Sequence, residues 1–433
     1  MADGVADAGV DESWLAGETA RLLRFAEGAR DPVGGYGRQH LHGGLIGAGP
    51  GGGGACELWV TGRMTHVFAL GEMLGHPRAG EFVEHGLAAL RGRLRDPVHG
   101  GWFAAVGGPN SDDRKPFYQH CFVLLGAASA LVAGHHEARG LLDDALDVVE
   151  RWFWDEAPGM PRESWDRGWT ETEPYRGVNA TMHGVEAFLA AYDAIGDPVW
   201  RDRALRMTER VVHGFARAGV RGDAIRGGAG TAWRIPEHFD PGWNPMPEHN
   251  RDHPADPFRP YGATVGHALE WSRLCLHLRS ALGAGADGNG APDWLLADAK
   301  SLFDVAVADG WSVDGATGFV YTVDWDGHPV VHERMSWVAA EAVAAATVLH
   351  QVTRDVRYLE QQRAWWQWIQ EHLVDERGAW HPELGRDNRP SSTVWTDQPE
   401  VYHAVQATLL PRIPVRASVA RAVADSAAGS PSR

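Results

Sequence analysis

Apolar residues recur with the period of an α-helix in twelve segments of the chain. These segments lie at about 13–29, 63–75, 78–95, 117–133, 138–154, 178–195, 199–217, 261–282, 293–309, 335–352, 356–373 and 400–411. They follow one another in pairs, which indicates a repeated unit of two helices. Twelve helices without alternating strand and helix units favour an all-α fold over a parallel sheet. We therefore predict an (α/α)6 barrel, the closed architecture with that number of helices.

A second pattern recurs in the connections between these segments. An acidic residue is followed by glycine and then by an aromatic residue, as in DPVGGY at 31–36, DPVHGGWF at 96–103, DGATGF at 314–319 and DERGAW at 375–380. Glycine supplies the positive φ that tight turns require. Alternating residues after it, such as Phe319, Tyr321 and Val323, suit a short strand. We predict short β-hairpins in the loops of the barrel.

Three segments do not fit the helical pattern. Residues 218–260 are too rich in proline to be helical and too long for a passive connection, so we expect them to fold over a site. The glycine run at 47–54 lacks the GK[ST] ending of a phosphate loop, which favours a flexible loop. Residues 415–433 are rich in Ala, Ser and Arg and are expected to form a disordered tail. Residues 1–414 are then a single barrel domain.

Polar side chains recur near the starts of alternate predicted helices. Asn179, His183 and Glu186 are spaced i, i+4 and i+7, so they share one helix face. The other members of this pattern are Arg63, Tyr118, His267 with Glu270, Trp337 with Glu341, and His403 with Gln406. If these helices form the inner ring of a barrel, their first turns converge on one cavity. Its aromatic side chains are suited to stack on a sugar ring.

Three of the 22 histidines are candidates for acid–base chemistry. A lone histidine on a helix is usually a core or surface residue, but His183, His267 and His403 each have a polar partner on the same face. The carboxylates beside them are either structural acids or groups that fix the tautomer of a catalytic histidine. Arg63 is either a buried ion-pair partner or a ligand for a sugar oxygen.

Charge and motif content exclude several classes of protein. The net charge of -17 disfavours nucleic acid and anionic membranes as partners, because the mean field repels phosphate. No apolar run approaches the roughly 20 residues that span a bilayer, so we expect a cytoplasmic protein.

The three cysteines are far apart and are expected to be reduced. Without HExxH, CxxC or Gly-x-Ser-x-Gly spacing, neither a metal centre nor a nucleophilic hydrolase is favoured.

Five segments of the chain resemble the N-acylglucosamine 2-epimerase superfamily in this order, between about residues 14 and 414. They are GRMTHVFAL at 62–70, NATMHGVEAFLAAYDAIGD at 179–197, RPYGATVGHALEW at 259–271, SWVAAEA at 336–342 and PEVYHAVQATLLP at 399–411. The resemblance implies an (α/α)6 barrel with His267 and His403 as the acid–base pair. It implies a pocket lined by Arg63, Tyr118, Asn179, His183, Arg259, Glu270, Trp337 and Glu341. It also implies no metal and no redox cofactor.

The YHAVQ sequence at 402–406 resembles the aldose-ketose isomerase branch more than the N-acyl epimerases, which need room for an acetamido group. The resemblance thus implies interconversion of a small monosaccharide, mannose to fructose, by a monomer or homodimer. A sugar 2-epimerase remains an alternative, as does a sulfoquinovose isomerase with Arg259 as its sulfonate ligand. A noncatalytic sugar-binding protein is a third. Glycoside hydrolysis ranks lower, because it needs two carboxylates and the converging groups are mainly histidines.

Overall fold

The computed structural model describes residues 10–47, 54–108, 111–220, 232–283 and 290–429. Its helices are α1 (Glu12–Ala26), α2 (Leu58–Met73), α3 (Ala79–Arg91), α4 (Phe117–Val132), α5 (Ala138–Val148), α6 (Val178–Ile195), α7 (Pro198–Thr208), α8 (Val265–Leu282), α9 (Trp294–Gly310), α10 (Ser336–Thr353), α11 (Val356–His372), α12 (Tyr402–Leu409) and α13 (Val419–Gly429). All twelve predicted helices are present. Among the predicted helix starts, the largest error is at α2, which begins at Leu58 rather than at 63.

Six inner helices form a closed ring. They contact one another in the order α2, α4, α6, α8, α10 and α12, and α12 returns to α2. Each has an outer partner: α3 packs on α2, α5 on α4, α7 on α6, α9 on α8, α11 on α10 and α1 on α12. The inner helices are buried on nearly every side, which is why their sequences are apolar throughout rather than amphipathic. This is the predicted (α/α)6 barrel.

Glycine allows the closest approach within the inner ring. A Cβ atom at Gly62 on α2 would clash with the carbonyl of Phe122 on α4, and one at Gly126 would lie 2.9 Å from the Gly62 oxygen. The backbones of α2 and α4 therefore touch directly.

Short antiparallel strands lie in the connections. They are β1 (Cys56–Glu57), β2 (Ala105–Val106), β3 (Lys115–Pro116), β4 (Trp154–Asp155), β5 (Met160–Pro161), β6 (Ser164–Trp165), β7 (Arg176–Gly177), β8 (His238–Phe239), β9 (Ala263–Thr264), β10 (Thr322–Val323), β11 (Pro329–Val331), β12 (Arg334–Met335) and β13 (Glu383–Leu384). Their pairs are β1–β2, β3–β6, β4–β5, β7–β8, β9–β10, β10–β11 and β12–β13. Antiparallel bridges also bracket the four glycine-aromatic turns, at Arg30–Tyr36, Arg95–Trp102, Trp311–Phe319 and Val374–Trp380. The predicted hairpins are confirmed.

These strands fix where the inner helices start. Strands β1, β3, β7, β9 and β12 run directly into α2, α4, α6, α8 and α10. Each of the five pairs with a strand from a later connection, so backbone hydrogen bonds hold the first turn of the helix that follows. The first turns of the inner helices are thus the most tightly positioned part of the barrel.

The C-terminal segment differs from the predicted disordered tail. Residues from Val419 to Gly429 form α13, which packs on α2, α4 and α6. Its alanines and valines share one buried face, which composition alone does not reveal. The backbone amide of Ser418 donates to Asp193, and His277 Nδ1 bonds the Arg416 carbonyl at 2.6 Å. The prediction of disorder from residue 415 is therefore wrong as far as Gly429.

Shortening a valine of α13 tests this packing. Val423 is 1% exposed, so Val423→Ala is expected to lower the free energy of unfolding by about 1–3 kcal/mol, as measured by urea denaturation. Val356→Ala is the matched control, because Val356 is 57% exposed, and it should change stability by less than about 0.5 kcal/mol. Equal effects of the two variants would contradict a packed α13.

Two other predictions fall partly outside the described residues. Residues 48–53 of the glycine run and 221–231 of the proline-rich segment are not described. Between 232 and 260 the chain forms no helix, as predicted.

The three cysteines are buried and form no disulfide, as expected of reduced cysteines. Of the helices described, none is long and apolar enough to span a membrane.

Candidate active site

The first turns of the six inner helices enclose a cavity of about 880 Å³, its open mouth included. Eight of the ten predicted site residues line it: Arg63, Tyr118, Asn179, His183, His267, Glu270, Trp337 and His403. The remaining lining residues are Leu22, Trp59, Pro257, Phe258, Tyr321, Ser336, Ala379, Trp380, Pro382, Trp395, Gln398, Pro399, Glu400, Val401 and Ala404. The structure therefore brings the predicted polar faces together.

His267 and His403 contact the same indole ring. The ring centroid of Trp337 is 5.3 Å from that of His267 and 5.7 Å from that of His403. Nδ1 of His267 lies 3.0 Å from Glu237 Oε2, and Nδ1 of His403 lies 2.8 Å from Glu341 Oε1. Because an ionised carboxylate only accepts hydrogen bonds, each ring carries its hydrogen on Nδ1. Nε2 of both rings is left for a substrate.

The partner of His267 comes from the proline-rich segment. Glu237 directly precedes β8, and its carbonyl accepts a hydrogen bond from the Val178 amide at the start of α6. Its Oε1 accepts from the Thr264 amide at 3.3 Å, just before α8. Glu237 is only 3% exposed. The carboxylate is thereby fixed against the first turn of α8, where His267 lies.

His183 is held as a neutral ring between two charged side chains. Its Nε2 lies 3.3 Å from Arg63 Nη2, which can only donate, and its Nδ1 lies 3.5 Å from Glu186 Oε2. The hydrogen is therefore on Nδ1. Burial, reinforced by the nearby Arg63 charge, lowers the pKa of His183 to about 3. His183 therefore stays neutral and is suited to orient groups rather than to carry a positive charge.

Arg63 is the one arginine or lysine among the described residues that line the cavity. Its Nη1 lies 3.0 Å from Glu400 Oε1, and its guanidinium lies 4.3 Å from the Phe122 ring centroid and 4.6 Å from that of Tyr402. Its Nε has no hydrogen-bond partner among the described residues. Arg63 is therefore an ion-pair partner of Glu400, and its Nε remains without a hydrogen bond.

A buried guanidinium lies beneath the histidines. Arg273 donates from Nε to Glu341 Oε2 at 2.8 Å and from Nη2 to Glu341 Oε1 at 3.2 Å. Arg273 Nη2 also lies 3.4 Å from Glu270 Oε1. Burial opposes ionisation of Glu341, but the charge of Arg273 and the hydrogen bond from His403 prevail and lower its pKa to about 2. Arg273 thus fixes the carboxylate that orients His403.

Aromatic side chains form the mouth of the cavity. Phe258, from the proline-rich segment, has its ring centroid 6.1 Å from Trp59, 6.1 Å from Tyr118 and 5.7 Å from Trp395. Pro257 lines the cavity beside it. The proline-rich segment was expected to fold over a site, and Pro257 and Phe258 are its two residues that line the cavity.

Two predicted pocket residues, Arg259 and Glu341, do not line the cavity. Arg259 forms a bidentate ion pair with Glu173 at 2.6 and 3.0 Å, and its guanidinium lies 3.9 Å from the Tyr175 ring centroid. The prediction that Arg259 lines the pocket is wrong, because Glu173 holds the guanidinium away from it. Glu341 lies one step behind the cavity, where it bonds His403.

Four sets of described side chains have the spacing of metal ligands, and two of them lie at this site. These two are His183, Glu186 and Glu270, and the set Glu270, Glu341 and His403. In both sets the histidine Nδ1 is already directed at a carboxylate, and the guanidinium of Arg273 contacts two of the acids. A positive charge at that place opposes the entry of a cation. These groups therefore fit a hydrogen-bond network better than a metal centre.

Several functional residues were not predicted from the sequence. Glu237 and Phe258 lie in an irregular segment, where no helical period places a side chain on a face. Glu400 lies inside the 399–411 segment, at the start of a predicted helix, and Trp59 lies three residues before the 62–70 segment and outside the predicted helix. For Trp59, the only available signal was its place four residues before Arg63, on the same helix face.

Comparisons with known proteins agree with this geometry. A family model described as N-acylglucosamine 2-epimerase (GlcNAc 2-epimerase) matches residues 49–407. A D-mannose isomerase of Thermobifida fusca is 49% identical over 417 residues, which cover 95% of this chain and 97% of that protein. A D-mannose isomerase of Pseudomonas cannabina pv. alisalensis is 44% identical over 417 residues, with 95% of both chains covered.

Solved structures give the same result. A D-mannose isomerase crystal structure superposes with a TM-score of 0.81 at 26% identity, covering 93% of this chain and 99% of that one. A cellobiose 2-epimerase from Spirochaeta thermophila superposes with a TM-score of 0.75 at 21% identity, covering 92% and 95%, and supports the fold alone. The resemblance inferred from five sequence segments is confirmed, and the chain belongs to the N-acylglucosamine 2-epimerase family.

Proposed function

We propose that this chain is an aldose-ketose isomerase that interconverts D-mannose and D-fructose. The observation that carries the proposal is the pairing of His267 and His403 on one indole, each with a carboxylate on Nδ1 and with Nε2 free for the substrate. The D-mannose isomerases with 44% and 49% identity support the choice of sugar.

The reaction needs proton transfers that imidazole performs near neutral pH. The sugar ring opens, a proton leaves C2, and a proton arrives at C1 through a cis-enediolate. We assign the carbon-bound proton to Nε2 of His267 and ring opening with the oxygen-bound protons to His403. A positioned histidine contributes about 10²- to 10⁴-fold to such a transfer. Each ring accepts a proton at Nε2 during its step, and the carboxylate on Nδ1 stabilises the resulting cation.

The remaining lining groups bind and polarise the sugar. Arg63 places a positive charge at the wall of the cavity where the enediolate forms. Asn179 supplies hydrogen-bonding groups for hydroxyls. His183, whose two ring nitrogens contact Arg63 and Glu186, orients the Arg63 guanidinium. Trp337 packs against both catalytic rings and keeps water from the reacting carbons.

A neutral hexose fits the charges of the cavity better than a sulfonated one. Among the described lining residues, Arg63 is the single arginine or lysine, and Glu400 already pairs with it. Arg259, the sulfonate ligand considered from the sequence, is bound to Glu173 instead. A sulfonate would therefore lack a free cation in the described part of the pocket.

Product analysis in heavy water tests the proposal. The enzyme is incubated in D₂O with mannose, glucose, fructose and sulfoquinovose in turn, and NMR identifies the products and the position of deuterium. We expect fructose from mannose, with deuterium at C1 and in recovered mannose at C2, and no turnover of sulfoquinovose. A chelator should not change the rate.

A sugar 2-epimerase is the second candidate, since the same histidine pair can return the proton to C2. The family model that matches residues 49–407 is described as an N-acylglucosamine 2-epimerase, which favours keeping this alternative. Glucose formed from mannose with deuterium at C2 and without fructose would establish it and overturn the isomerase proposal. Sugar binding without exchange of any carbon-bound hydrogen would instead indicate a noncatalytic protein.

A further inference from the structure

Three carboxyl groups lie in the buried layer beneath the catalytic histidines. Glu186 projects from α6, Glu270 from α8 and Glu341 from α10, and none is more than 8% exposed. Arg273 is the guanidinium that contacts this group, through Glu270 and Glu341. Three ionised carboxylates around one guanidinium leave an uncompensated negative charge in a buried layer, which is strongly unfavourable.

The three carboxyl groups are not equally hydrogen-bonded. Glu341 accepts from Arg273 Nε at 2.8 Å, from Arg273 Nη2 at 3.2 Å and from His403 Nδ1 at 2.8 Å. Glu186 accepts from the Tyr402 hydroxyl, from Gln406 Nε2 at 3.2 Å and from His183 Nδ1 at 3.5 Å. Both groups therefore have the donors that an ionised carboxylate needs.

Glu270 lacks such donors although it has no exposed surface. Its Oε1 has one long contact, 3.4 Å from Arg273 Nη2, and its Oε2 has no hydrogen-bond partner among the described residues. An ionised carboxylate with a bare buried oxygen is costly, whereas a carboxylic acid uses that oxygen as a hydroxyl donor. Glu270 is among the residues that line the cavity, so this buried oxygen lies at the wall against which a substrate would pack.

We propose that Glu270 remains a neutral carboxylic acid in the working enzyme and donates a hydrogen bond from Oε2 to the sugar oxygen that becomes anionic in the enediolate. This rests on the proposed isomerase function. Glu270 keeps its proton throughout the cycle, so the proton transfers assigned to His267 and His403 are unchanged. A neutral donor stabilises the developing charge without adding a negative charge of its own.

The charges that face Glu270 agree with this state. Burial and the neighbouring charges of Glu341 and Glu186 raise the pKa of Glu270 well above its usual range, against the opposing charges of Arg273 and Arg63. Other titratable groups close to Glu270 are His183 on α6, Tyr118 on α4, and Tyr402 and His403 on α12. His183 Nδ1 is 3.9 Å from Glu270 Oε1. His183 is neutral, so it adds no cation that would hold Glu270 in its ionised form.

Infrared spectroscopy reads the protonation state directly. The difference spectrum between wild-type protein and Glu270→Gln at neutral pH should contain the carbonyl stretch of a protonated carboxyl group, shifted on transfer to D₂O. If the difference contains only carboxylate bands, Glu270 is ionised and the proposal fails. This measurement does not depend on activity. A wild-type protein that shows the band but does not convert mannose would overturn the proposed function and leave the protonation state established.

Kinetics test the hydrogen bond. The amide of Glu270→Gln donates from the same place, so kcat for mannose should fall by less than about tenfold, whereas Glu270→Met should lose about 10²- to 10³-fold. Glu341→Gln is the matched control and should lose more than Glu270→Gln, because it removes an ionised partner of His403. Equal losses for Glu270→Gln and Glu270→Met would overturn the donor role.

The pH dependence of kcat is a third test of whether Glu270 acts as a neutral carboxylic acid. Because the neutral form of Glu270 is the active one, wild-type kcat should fall as pH rises through its raised pKa. Glu270→Gln cannot lose this proton, so its alkaline limb should move to higher pH. An unchanged alkaline limb would contradict the proposal, since a purely structural role for Glu270 predicts no shift.

Discussion

Replacing His267 with alanine is expected to lower kcat for mannose by about 10²- to 10⁴-fold and to abolish deuterium exchange at C2. Nε2 of His267 is the nitrogen left free by the bond from Nδ1 to Glu237, so no other atom of this residue is placed to take the proton. His403 cannot replace it, because its own ring is held by Glu341 on another helix. NMR of mannose incubated in D₂O measures both the exchange and the product.

His328→Ala is the control for this prediction. His328 lies on an exposed loop, with 76% of its side chain accessible, and does not line the cavity. Its removal should leave turnover and exchange at the wild-type level. Near wild-type exchange in folded His267→Ala would overturn the assignment of the carbon base, and exchange retained in that variant but lost in His403→Ala would reverse the two roles.

The sequence predicted the barrel well because its signal is repeated. Each inner helix is mainly apolar and carries polar residues in its first half, so one pattern is observed six times with different residues. A mistake at one boundary, such as the late start predicted for α2, does not change the order of the helices. The convergence of the first turns then follows from the closed ring.

The parts that could not be predicted depend on contacts between distant segments. Glu237 is 30 residues from His267 along the chain, and it contacts His267 because strand β8, which follows it directly, holds that part of the chain in place. Arg259 belongs to a matching family segment, yet Glu173, 86 residues away, removes it from the pocket. Helix periodicity carries no information about such pairs, because they are set by the tertiary path of irregular loops.

The largest effect on stability is expected for Arg273→Met. Arg273 is 1% exposed and supplies the guanidinium that contacts Glu341 and Glu270. Removing it leaves buried carboxylates without compensation, which destabilises a protein by about 3–5 kcal/mol. Urea denaturation at neutral pH measures this loss. Arg357→Met is the control, since the Arg357–Asp304 pair is 41% and 47% exposed and is expected to contribute less than about 1 kcal/mol.

The pH dependence of this loss follows from Glu341. In the wild type its pKa is lowered to about 2, so its stabilising contribution is present above the pKa of the unfolded chain and is lost only as pH falls through about 2. Without Arg273 the buried carboxyl has a raised pKa and destabilises the fold at neutral pH, and protonation relieves this. The stability difference between wild type and Arg273→Met should therefore shrink as pH is lowered from 7 towards about 4. A difference that stays constant over this range would mean that Arg273 acts through packing rather than through the charge of Glu341.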